Sequence, residues 1–252
     1  MNKRVKDKIA ISGATGFVGR NLTKYFDRHN TKYTSITRTS FKTEHTQILS
    51  KCFCFIHLIG TGSENSETSF QRVNVELTKK AIDICKKSKI KKIIYFSGLG
   101  VSKDSTSKYF ISKFESEQII INSGLDYTIF RPSYIIGKDD YLTINIQKQI
   151  KQKKILIPGS GEYIIQPISI DDVCKIIHFA SESKLVCKKI IDLVGPEKIT
   201  FKQFLKNSTN NSNIEIEKIP SKKSIVYSSS HKKFPYSIED SVSYTHLTLP
   251  TI

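Results

Sequence analysis

Three glycines spaced three residues apart form the pattern in this sequence that points most directly to a chemistry. Gly13, Gly16 and Gly19 follow the apolar run Lys8–Ser12 and lie at the start of the amphipathic stretch Val18–Phe26. A glycine-rich turn between a strand and a helix lets the backbone approach a diphosphate, whose charge is favoured at the helix N-terminus. Gly13 permits the tight turn, Gly16 the approach of the phosphates, and Gly19 close packing of helix on strand. The motif therefore predicts a dinucleotide site.

The end of the second predicted strand indicates which dinucleotide binds. NAD sites usually have an acidic residue there, which binds the ribose 2′-hydroxyl. This strand instead ends Ile36-Thr37-Arg38, and the guanidinium of Arg38 is suited to a 2′-phosphate. The sequence therefore favours NADP, with NAD as the alternative. An arginine that only faces solvent is the other interpretation of Arg38.

Apolar runs and amphipathic stretches alternate along the first half of the chain. The predicted strands are Lys8–Ser12, Tyr33–Thr37, Cys52–Ile59, Lys92–Phe96 and Asp126–Phe130, and the predicted helices are Val18–Phe26, Phe70–Lys87 and Tyr109–Ile121. Such alternation predicts an α/β fold, a Rossmann-type doubly wound parallel sheet. We expect one domain over residues 1–241, with a small, truncated C-terminal lobe to which about 130–241 contribute. The polar stretch 206–230 is predicted to be loop.

The formal net charge of +17 raises the question of a polyanionic partner. Only six of the 40 basic residues are arginine, the side chain best suited to reading bases and to forked contacts with phosphate. The lysines are scattered over predicted helices and loops. The composition therefore favours a solvated surface over nucleic-acid binding.

Cysteine usage and apolar run length bear on the compartment. The five cysteines show no paired CxxC spacing, which favours reduced thiols and no metal site. No apolar run approaches the roughly 18 residues of a spanning helix, and residues 1–10 lack an apolar signal core. We expect a cytoplasmic protein with no transmembrane segment.

Residues 242–252 resemble the translation of a sequencing adapter, so we expect the natural sequence to depart from this one near Ser241.

Seven landmarks in a fixed order show a resemblance to a known family. They are Gly13–Gly19, Phe55–Gly60, Val73–Val75, Ile94–Gly100, Tyr109–Lys113, Phe130–Ser133 and Gln166–Val173. Through them the chain, from about Lys8 to Ile219, resembles the extended short-chain dehydrogenase/reductases, which include NAD-dependent epimerase/dehydratase-like proteins. It is most similar to their atypical group, which includes an accessory subunit of respiratory NADH:ubiquinone oxidoreductase.

The resemblance implies a catalytic pair, Tyr109 and Lys113. A spacing of four places both side chains on one helical face, and the lysine charge favours the tyrosinate. Tyr109 would exchange a proton with a substrate hydroxyl or carbonyl while hydride moves to or from nicotinamide, and Lys113 would also hold the ribose hydroxyls. A second Tyr-x-x-x-Lys, Tyr134 to Lys138, straddles a glycine after a strand and is interpreted as chance.

The resemblance also implies the remaining contacts of the site. For the cofactor, besides the three glycines, Arg38 and Lys113, they are Thr15, Phe17, Val18, Leu58, Ile59, Gly60, Ser97 and Pro132. For the substrate they are Ser97, Leu99, Arg131 and Ser133.

The chain departs from the family pattern at two places. Leu99 stands where the family has its catalytic serine and has no hydroxyl to offer; Ser97 and Ser102 are the alternatives. Only 13 residues, 39–51, separate Arg38 from the next predicted strand, where the family has a further strand and helix and an Asp beside the adenine. The departures put turnover and the adenine pocket in question.

The sequence predicts an NAD(P)-dependent oxidoreductase or epimerase that uses Tyr109 and Lys113 on an unidentified hydroxyl or carbonyl substrate. The alternative is a non-catalytic NADP(H)-binding subunit or redox sensor, associated with a respiratory or other membrane complex. Leu99 favours the alternative, and the Tyr109–Lys113 pair favours the enzyme.

Overall fold

The computed structural model describes residues 7–37, 41, 46–66, 68–209 and 214–219 of the chain. Arg38 and the expected adapter-derived tail, 242–252, lie outside the described residues. The chain divides into two units. Unit 1 comprises Met1–Pro132 and Ile170–Leu193, and unit 2 comprises Ser133–Ser169 and Val194–Ile252.

Strands and helices alternate through most of the described chain. In order they are β1 (Lys8–Ser12), α1 (Phe17–Arg28), β2 (Tyr33–Ile36), α2 (Thr46–Leu49), β3 (Cys52–His57), a π-helix (Gln71–Glu76), α3 (Leu77–Lys87), β4 (Lys92–Phe96), α4 (Lys108–Ile121), β5 (Asp126–Pro132), β6 (Ile135–Ile136), α5 (Tyr141–Lys151), β7 (Lys154–Pro158), β8 (Ile164–Ile165), β9 (Ile168–Ser169), α6 (Ile170–Glu182), β10 (Lys189–Leu193), β11 (Ile199–Thr200), α7 (Phe201–Ser208) and β12 (Glu215–Ile219). Among the helices described, none is both long and apolar enough to span a bilayer.

A six-stranded parallel sheet forms the centre of unit 1. Its strand order is β10-β5-β4-β3-β1-β2, and every neighbouring pair is parallel. Ile9, Ile11, Ile93 and Ile94 have no exposed surface, because strands of such a sheet are covered on both faces. Helix α1 packs against α6, and α3 packs against α4. The architecture confirms the predicted α/β fold with a Rossmann-type parallel sheet.

The direction of winding reverses at β1. The chain passes from β1 to its neighbour β2 on one side, then crosses to β3 on the other side of β1. In open parallel sheets, ligands bind beyond the carboxyl ends of the strands at such a reversal. The glycine motif follows β1 directly, so it lies at this point.

The structure differs from the sequence prediction at several element boundaries, and among the differences are the following three. The helix predicted for 70–87 begins as the π-helix rather than as a regular α-helix. Strand β3 ends at His57, two residues earlier than predicted. The stretch 206–230 is not all loop, because Glu215–Ile219 forms a parallel strand against β7. Backbone pairing with β7 stabilises a segment whose composition alone does not indicate a strand.

Unit 2 has an apolar core of its own. Helix α5 contributes Leu142 and Ile146, β7 contributes Ile155, and α7 contributes Phe201 and Leu205. Strand β7 pairs with β12, and β8 pairs with β11 in the antiparallel sense.

Candidate functional site

The glycine loop brings three stretches of backbone into close contact. Gly13 has φ +78°, and a Cβ there would lie 2.9 Å from the carbonyl carbon of Leu58. A Cβ on Gly19 would lie 2.2 Å from the carbonyl oxygen of Gly13. Neither position accepts a side chain without backbone movement, so both glycines are required by packing. Gly16 is different, because its nearest neighbour, the Gly13 oxygen, would lie 3.4 Å away and the residue is exposed.

Helix α1 begins at this loop with its N-terminus accessible. Gly16 is the N-cap, in extended geometry and without a side-chain cap. The first backbone N–H groups of a helix lack partners within the helix, and its dipole favours an anion there. Thr15 is exposed, and its carbonyl oxygen accepts a hydrogen bond of 2.9 Å from the Arg20 guanidinium. Phe17 and Val18 are half-buried. The loop thus offers backbone N–H groups to a phosphate.

The stretch after β3 is fixed by Asn74 of the π-helix. Its amide oxygen accepts from the Thr61 N–H at 2.8 Å, and its amide nitrogen donates to the Thr61 carbonyl at 3.2 Å. The same nitrogen donates to Ser112 of α4 at 3.0 Å. Asn74 is fully buried, so its side chain joins the π-helix to Thr61 and to α4 within the interior. The predicted cofactor residues Leu58, Ile59 and Gly60 immediately precede Thr61, whose backbone the first two of these hydrogen bonds hold.

Lys113 lies on α4 with its amine directed at the end of β4. The Nζ donates to the Phe96 carbonyl at 2.9 Å and to the Tyr95 hydroxyl at 3.4 Å. It is 5.0 Å from the centroid of the Tyr95 ring and 5.9 Å from that of Tyr109. Burial lowers the pKa of Lys113, but Tyr95, Tyr109 and Glu117 raise it by more, so the pKa lies above its ordinary value. The ammonium form is therefore favoured.

Two glycines leave space around the Tyr109–Lys113 pair. A Cβ on Gly60 would lie 3.0 Å from the Lys113 Nζ, and a Cβ on Gly98 would lie 3.5 Å from the Tyr109 hydroxyl. Tyr109 is half-buried, and its ring packs edge-on against Phe70 at 5.8 Å. The backbone thus approaches the pair closely at both glycines, and neither places a side chain against it.

The position of the missing serine is occupied by an apolar side chain. Leu99 is half-buried, and its N–H donates to the Pro132 carbonyl at 3.0 Å. The Ser97 hydroxyl is buried and has no hydrogen-bond partner in the structure. Ser102 is exposed. Of the two alternative serines, Ser97 is the one with a buried hydroxyl whose hydrogen-bonding capacity is unused.

His57 lies beneath the site, at the end of β3. It is fully buried, and its Nδ1 lies 2.7 Å from the Ser12 hydroxyl oxygen. Burial, assisted by the nearby charge of Lys113, lowers the pKa of His57 to about 3. Its ring stacks on Tyr95 with the planes inclined by 21°, and its Nε2 has no hydrogen-bond partner. The residue is a neutral core histidine.

Arg131 has a partner that the sequence did not indicate. Its guanidinium donates two hydrogen bonds to the Glu117 carboxylate, at 2.9 and 2.7 Å. The side chain of Glu117 has no exposed surface, and that of Arg131 is 23% exposed. The hydrogen bonds to Glu117 raise the pKa of Arg131. The substrate contact predicted for Arg131 would have to be made by a guanidinium already committed to this ion pair.

The predicted site residues fall into three groups. The glycine loop, 58–60, Ser97 and the Tyr109–Lys113 pair all belong to unit 1 and follow β1, β3 and β4 or lie on α4. Leu99 and Pro132 are joined by the backbone hydrogen bond given above. Ser133 begins unit 2. Within the described ranges, no group of three His, Cys, Asp or Glu side chains could hold a metal ion.

A known protein family matches most of the chain. The family described as NAD dependent epimerase/dehydratase family matches residues 9–192. The match covers the glycine loop, the Tyr109–Lys113 pair and nearly all of the six-stranded parallel sheet.

The curated relatives include proteins named as mitochondrial subunits of NADH dehydrogenase (ubiquinone). The protein named NADH dehydrogenase (ubiquinone) 1 alpha subcomplex subunit 9, mitochondrial, from Arabidopsis thaliana is 29% identical over 157 residues, which are 61% of this chain and 39% of the relative. Its namesake from Dictyostelium discoideum is 28% identical over 60% of this chain and 42% of the relative. The chain therefore spans only about two-fifths of the length of these relatives.

Solved structures with a similar fold include two sugar-nucleotide epimerases. The UDP-glucose 4-epimerase of Thermotoga maritima, solved with UDP-glucose, has a TM-score of 0.69 at 15% identity, over 96% of this chain and 99% of that one. The UDP-glucuronic acid 4-epimerase of Bacillus cereus, solved with NAD, has a TM-score of 0.67 at 20% identity, over 95% and 98%. At such identities the likeness shows the fold alone.

Proposed function

The chain belongs to the NAD dependent epimerase/dehydratase family, and from this premise we propose that it binds a nicotinamide dinucleotide at the carboxyl ends of β1, β3 and β4. The observation that supports this most directly is the glycine loop, where Gly13 and Gly19 have no space for a side chain and Gly16 is exposed at the N-terminus of α1. The diphosphate would lie on the first turn of α1. The ribose next to nicotinamide would lie against Lys113, beside Gly60.

We propose NADP(H) as the preferred form of the dinucleotide. The residues that end β2 and follow it, Ile36, Thr37 and Arg38, include no acid to bind a ribose 2′-hydroxyl. Arg38 would instead pair with the 2′-phosphate. The family is named for NAD, so the proposed preference for NADP rests on the residues of this chain.

We propose that the dinucleotide serves as a bound ligand of an accessory subunit, without turnover. Leu99 supports this role, since it leaves no hydroxyl at the position where the family has its catalytic serine. The relatives from Arabidopsis thaliana and Dictyostelium discoideum, which are named as subunits of NADH dehydrogenase, support it too. The partner would then be a membrane-associated complex of the respiratory kind.

An oxidoreductase or epimerase is the second candidate, and the position of Lys113 favours it. An ammonium held at Phe96 and directed past Tyr109 would favour the tyrosinate, so that Tyr109 could take a proton from a substrate hydroxyl or return it. Bound nicotinamide supplies the hydride acceptor or donor for such a reaction. The unpaired hydroxyl of Ser97 would take the part of the absent serine in orienting the substrate oxygen.

Titration of the chain with NADPH and NADH tests binding. The chain has no tryptophan, so the emission of the reduced cofactor itself is followed. We expect saturable binding of NADPH, and weaker binding after Arg38→Ala for NADPH but not for NADH. Lys24→Ala, an exposed change in α1, serves as the control. Failure of both cofactors to bind would contradict the proposed function.

Substitution of Tyr109 distinguishes a cofactor that is only bound from one that takes part in a reaction. The chain and its Tyr109→Phe variant are incubated with oxidised cofactor and a series of nucleotide sugars, and cofactor reduction and sugar epimerisation are measured. If the protein is an accessory subunit, the unchanged chain and the Tyr109→Phe variant both bind cofactor, and neither yields product. Product formation that falls by about 10²–10⁴-fold in the variant, with cofactor binding retained, would establish the enzyme instead.

The location of the protein is a separate proposal. The cytoplasm is the expectation of the sequence analysis, whereas the relatives are named as mitochondrial proteins. Imaging of the chain fused to a fluorescent protein at its C-terminus distinguishes the two compartments.

A further inference from the structure

The amino-terminal edge of the parallel sheet collects lysines. All six strands start at this edge, and the helices that connect them end there. The Lys51 carbonyl accepts from the N–H of Lys8 at 3.3 Å, and the Lys32 carbonyl accepts from the N–H of Ile9 at 3.0 Å. These backbone bonds place three lysines side by side at the starts of β1, β2 and β3.

The same pattern continues on the other half of the sheet. The Lys91 carbonyl accepts from the N–H of Asp126 at 2.8 Å, and the Lys188 N–H donates to the Tyr127 carbonyl at 2.6 Å. Arg28 lies in the last turn of α1, and basic residues likewise fill the last turn of α3. We call this set the basic edge; its members are Lys8, Arg28, Lys32, Lys51, Lys86, Lys87, Lys89, Lys91, Lys184, Lys188 and Lys189.

Few acidic side chains oppose these cations. The acidic residues at the strand starts and helix ends of this edge are Asp7, Asp27, Asp126 and Glu182. Asp7 is paired with Lys32 at 2.7 Å. Lysines at helix C-termini are partly explained by the helix dipole, but those that start β1, β3, β4 and β10 are not. All members except Lys8 are exposed, so the edge presents a broad positive surface.

An apolar side chain lies within this positive surface. Leu185 is 75% exposed, between Lys184 and Lys188 in the loop from α6 to β10. Phe179, in the last turns of α6, is 54% exposed. The loop is anchored, because the buried Lys92 donates to the carbonyls of Ala180 and Ser183. The exposure of Leu185 therefore belongs to a fixed loop.

We propose that the basic edge binds a membrane surface rich in anionic phospholipid headgroups, with Leu185 entering the interface. Positive charge combined with an exposed large apolar side chain is the composition of surfaces that attach to anionic bilayers. Nucleic acid is less suited to this edge, since ten of its eleven cations are lysine and the surface is a broad edge rather than a groove. The glycine loop lies at the opposite edge of the sheet, so this attachment is independent of cofactor binding.

Co-sedimentation of the 252-residue chain with vesicles tests the proposal. The vesicles contain phosphatidylcholine alone or with phosphatidylserine. The test variant is Lys184→Gln/Lys188→Gln/Lys189→Gln, and the matched control is Lys24→Gln/Lys103→Gln/Lys108→Gln, which removes the same charge from exposed positions outside the edge. Leu185→Ser probes the apolar contribution. Circular dichroism verifies that each variant is folded.

We expect binding only to the vesicles that contain phosphatidylserine, and release as the ionic strength rises. Each lysine near an anionic surface contributes about a fivefold gain in partitioning, so the test variant should bind about 100-fold less well. Leu185→Ser should reduce partitioning about tenfold. An equal loss in the matched control, binding without phosphatidylserine, or binding to polyuridylate RNA in place of vesicles would each overturn the proposal.

Discussion

The amine of Lys113 is held by two groups that adjoin in sequence, the Tyr95 hydroxyl and the Phe96 carbonyl. Together with Tyr109 they keep a buried ammonium charged, although burial by itself favours the neutral amine. A second phenol at the lysine is a feature of this chain that the Tyr-x-x-x-Lys motif does not include. Its ring also covers His57, so one side chain links the lysine to the neutral histidine below.

At the same scale, Arg131 and Glu117 provide a prediction about stability. Arg131→Met should lower the free energy of unfolding by about 3–5 kcal/mol, because it leaves the fully buried Glu117 carboxylate without its partner. The double variant Arg131→Met/Glu117→Leu should recover most of that loss, since no buried charge remains. Urea denaturation followed by circular dichroism measures both.

The exposed ion pair of Lys175 and Asp172 is the control for this measurement. Their side chains are 63% and 56% exposed, so Lys175→Met should change stability by about 1 kcal/mol or less. If Arg131→Met proves as mild as Lys175→Met, Glu117 does not depend on the ion pair, and Arg131 is available for the substrate contact predicted from sequence.

At the scale of the element, two glycines of the turn from β1 to α1 have different roles. Gly19 is required for packing, whereas Gly16 is proposed to contact the cofactor. Gly19→Ala should unfold or strongly destabilise the chain, since its Cβ would meet the Gly13 oxygen at 2.2 Å. Gly16→Ala should keep the stability within about 1 kcal/mol, because its φ of −72° suits alanine, yet it should weaken NADPH binding at least tenfold by obstructing the diphosphate. Thermal unfolding and cofactor titration of both variants provide the comparison. Unchanged NADPH affinity in Gly16→Ala would remove this loop from the site.

Element prediction from sequence succeeded where apolar runs are buried on both faces. Strands β1 and β4 have the predicted boundaries, Lys8–Ser12 and Lys92–Phe96, because strands at the centre of a parallel sheet are apolar throughout. Strand β12 has only one buried residue, Ile219, and it lies in a stretch whose polar composition predicts loop. It forms because β7 offers a partner, which composition cannot reveal.

The candidate site was predictable only in its local motifs. The glycine spacing and the pair on α4 are short-range patterns, which a sequence displays directly. Asn74 acts on Thr61 and Ser112, 13 and 38 residues away, and Glu117 acts on a strand of the sheet. Such partners depend on how helices pack, so the sequence does not show which residues Asn74 and Glu117 contact.

At the scale of the whole molecule, burial keeps several titratable side chains neutral. Burial raises the pKa of the Cys54 and Cys174 thiols to about 12, and none of the five cysteines forms a disulfide. Thiols held in the protonated form are weak nucleophiles, which agrees with the predicted reduced cysteines. Among the residues that the structure describes, Lys92 and Lys113 are the buried cations. Acid therefore opposes folding in part through His57, which is neutral in the interior and gains a proton on unfolding.

The lowered pKa of the buried His57 predicts how the stability of the chain depends on pH. Its pKa is about 3 in the folded chain, against 6.5 for a solvated histidine, so below pH 6.5 the unfolded chain binds a proton that the folded chain does not. This contribution to stability is complete above pH 6.5 and should fall by about 2 kcal/mol between pH 7 and pH 5. The size at pH 5 depends little on the folded pKa, provided that this pKa lies well below 5. His57→Gln, which keeps an oxygen for the Ser12 hydroxyl, should lose about 2 kcal/mol less over the same interval in urea denaturation. An equal loss of stability in both proteins would show that the pKa of His57 is the same in the folded and unfolded chains. That result would contradict a buried, neutral ring.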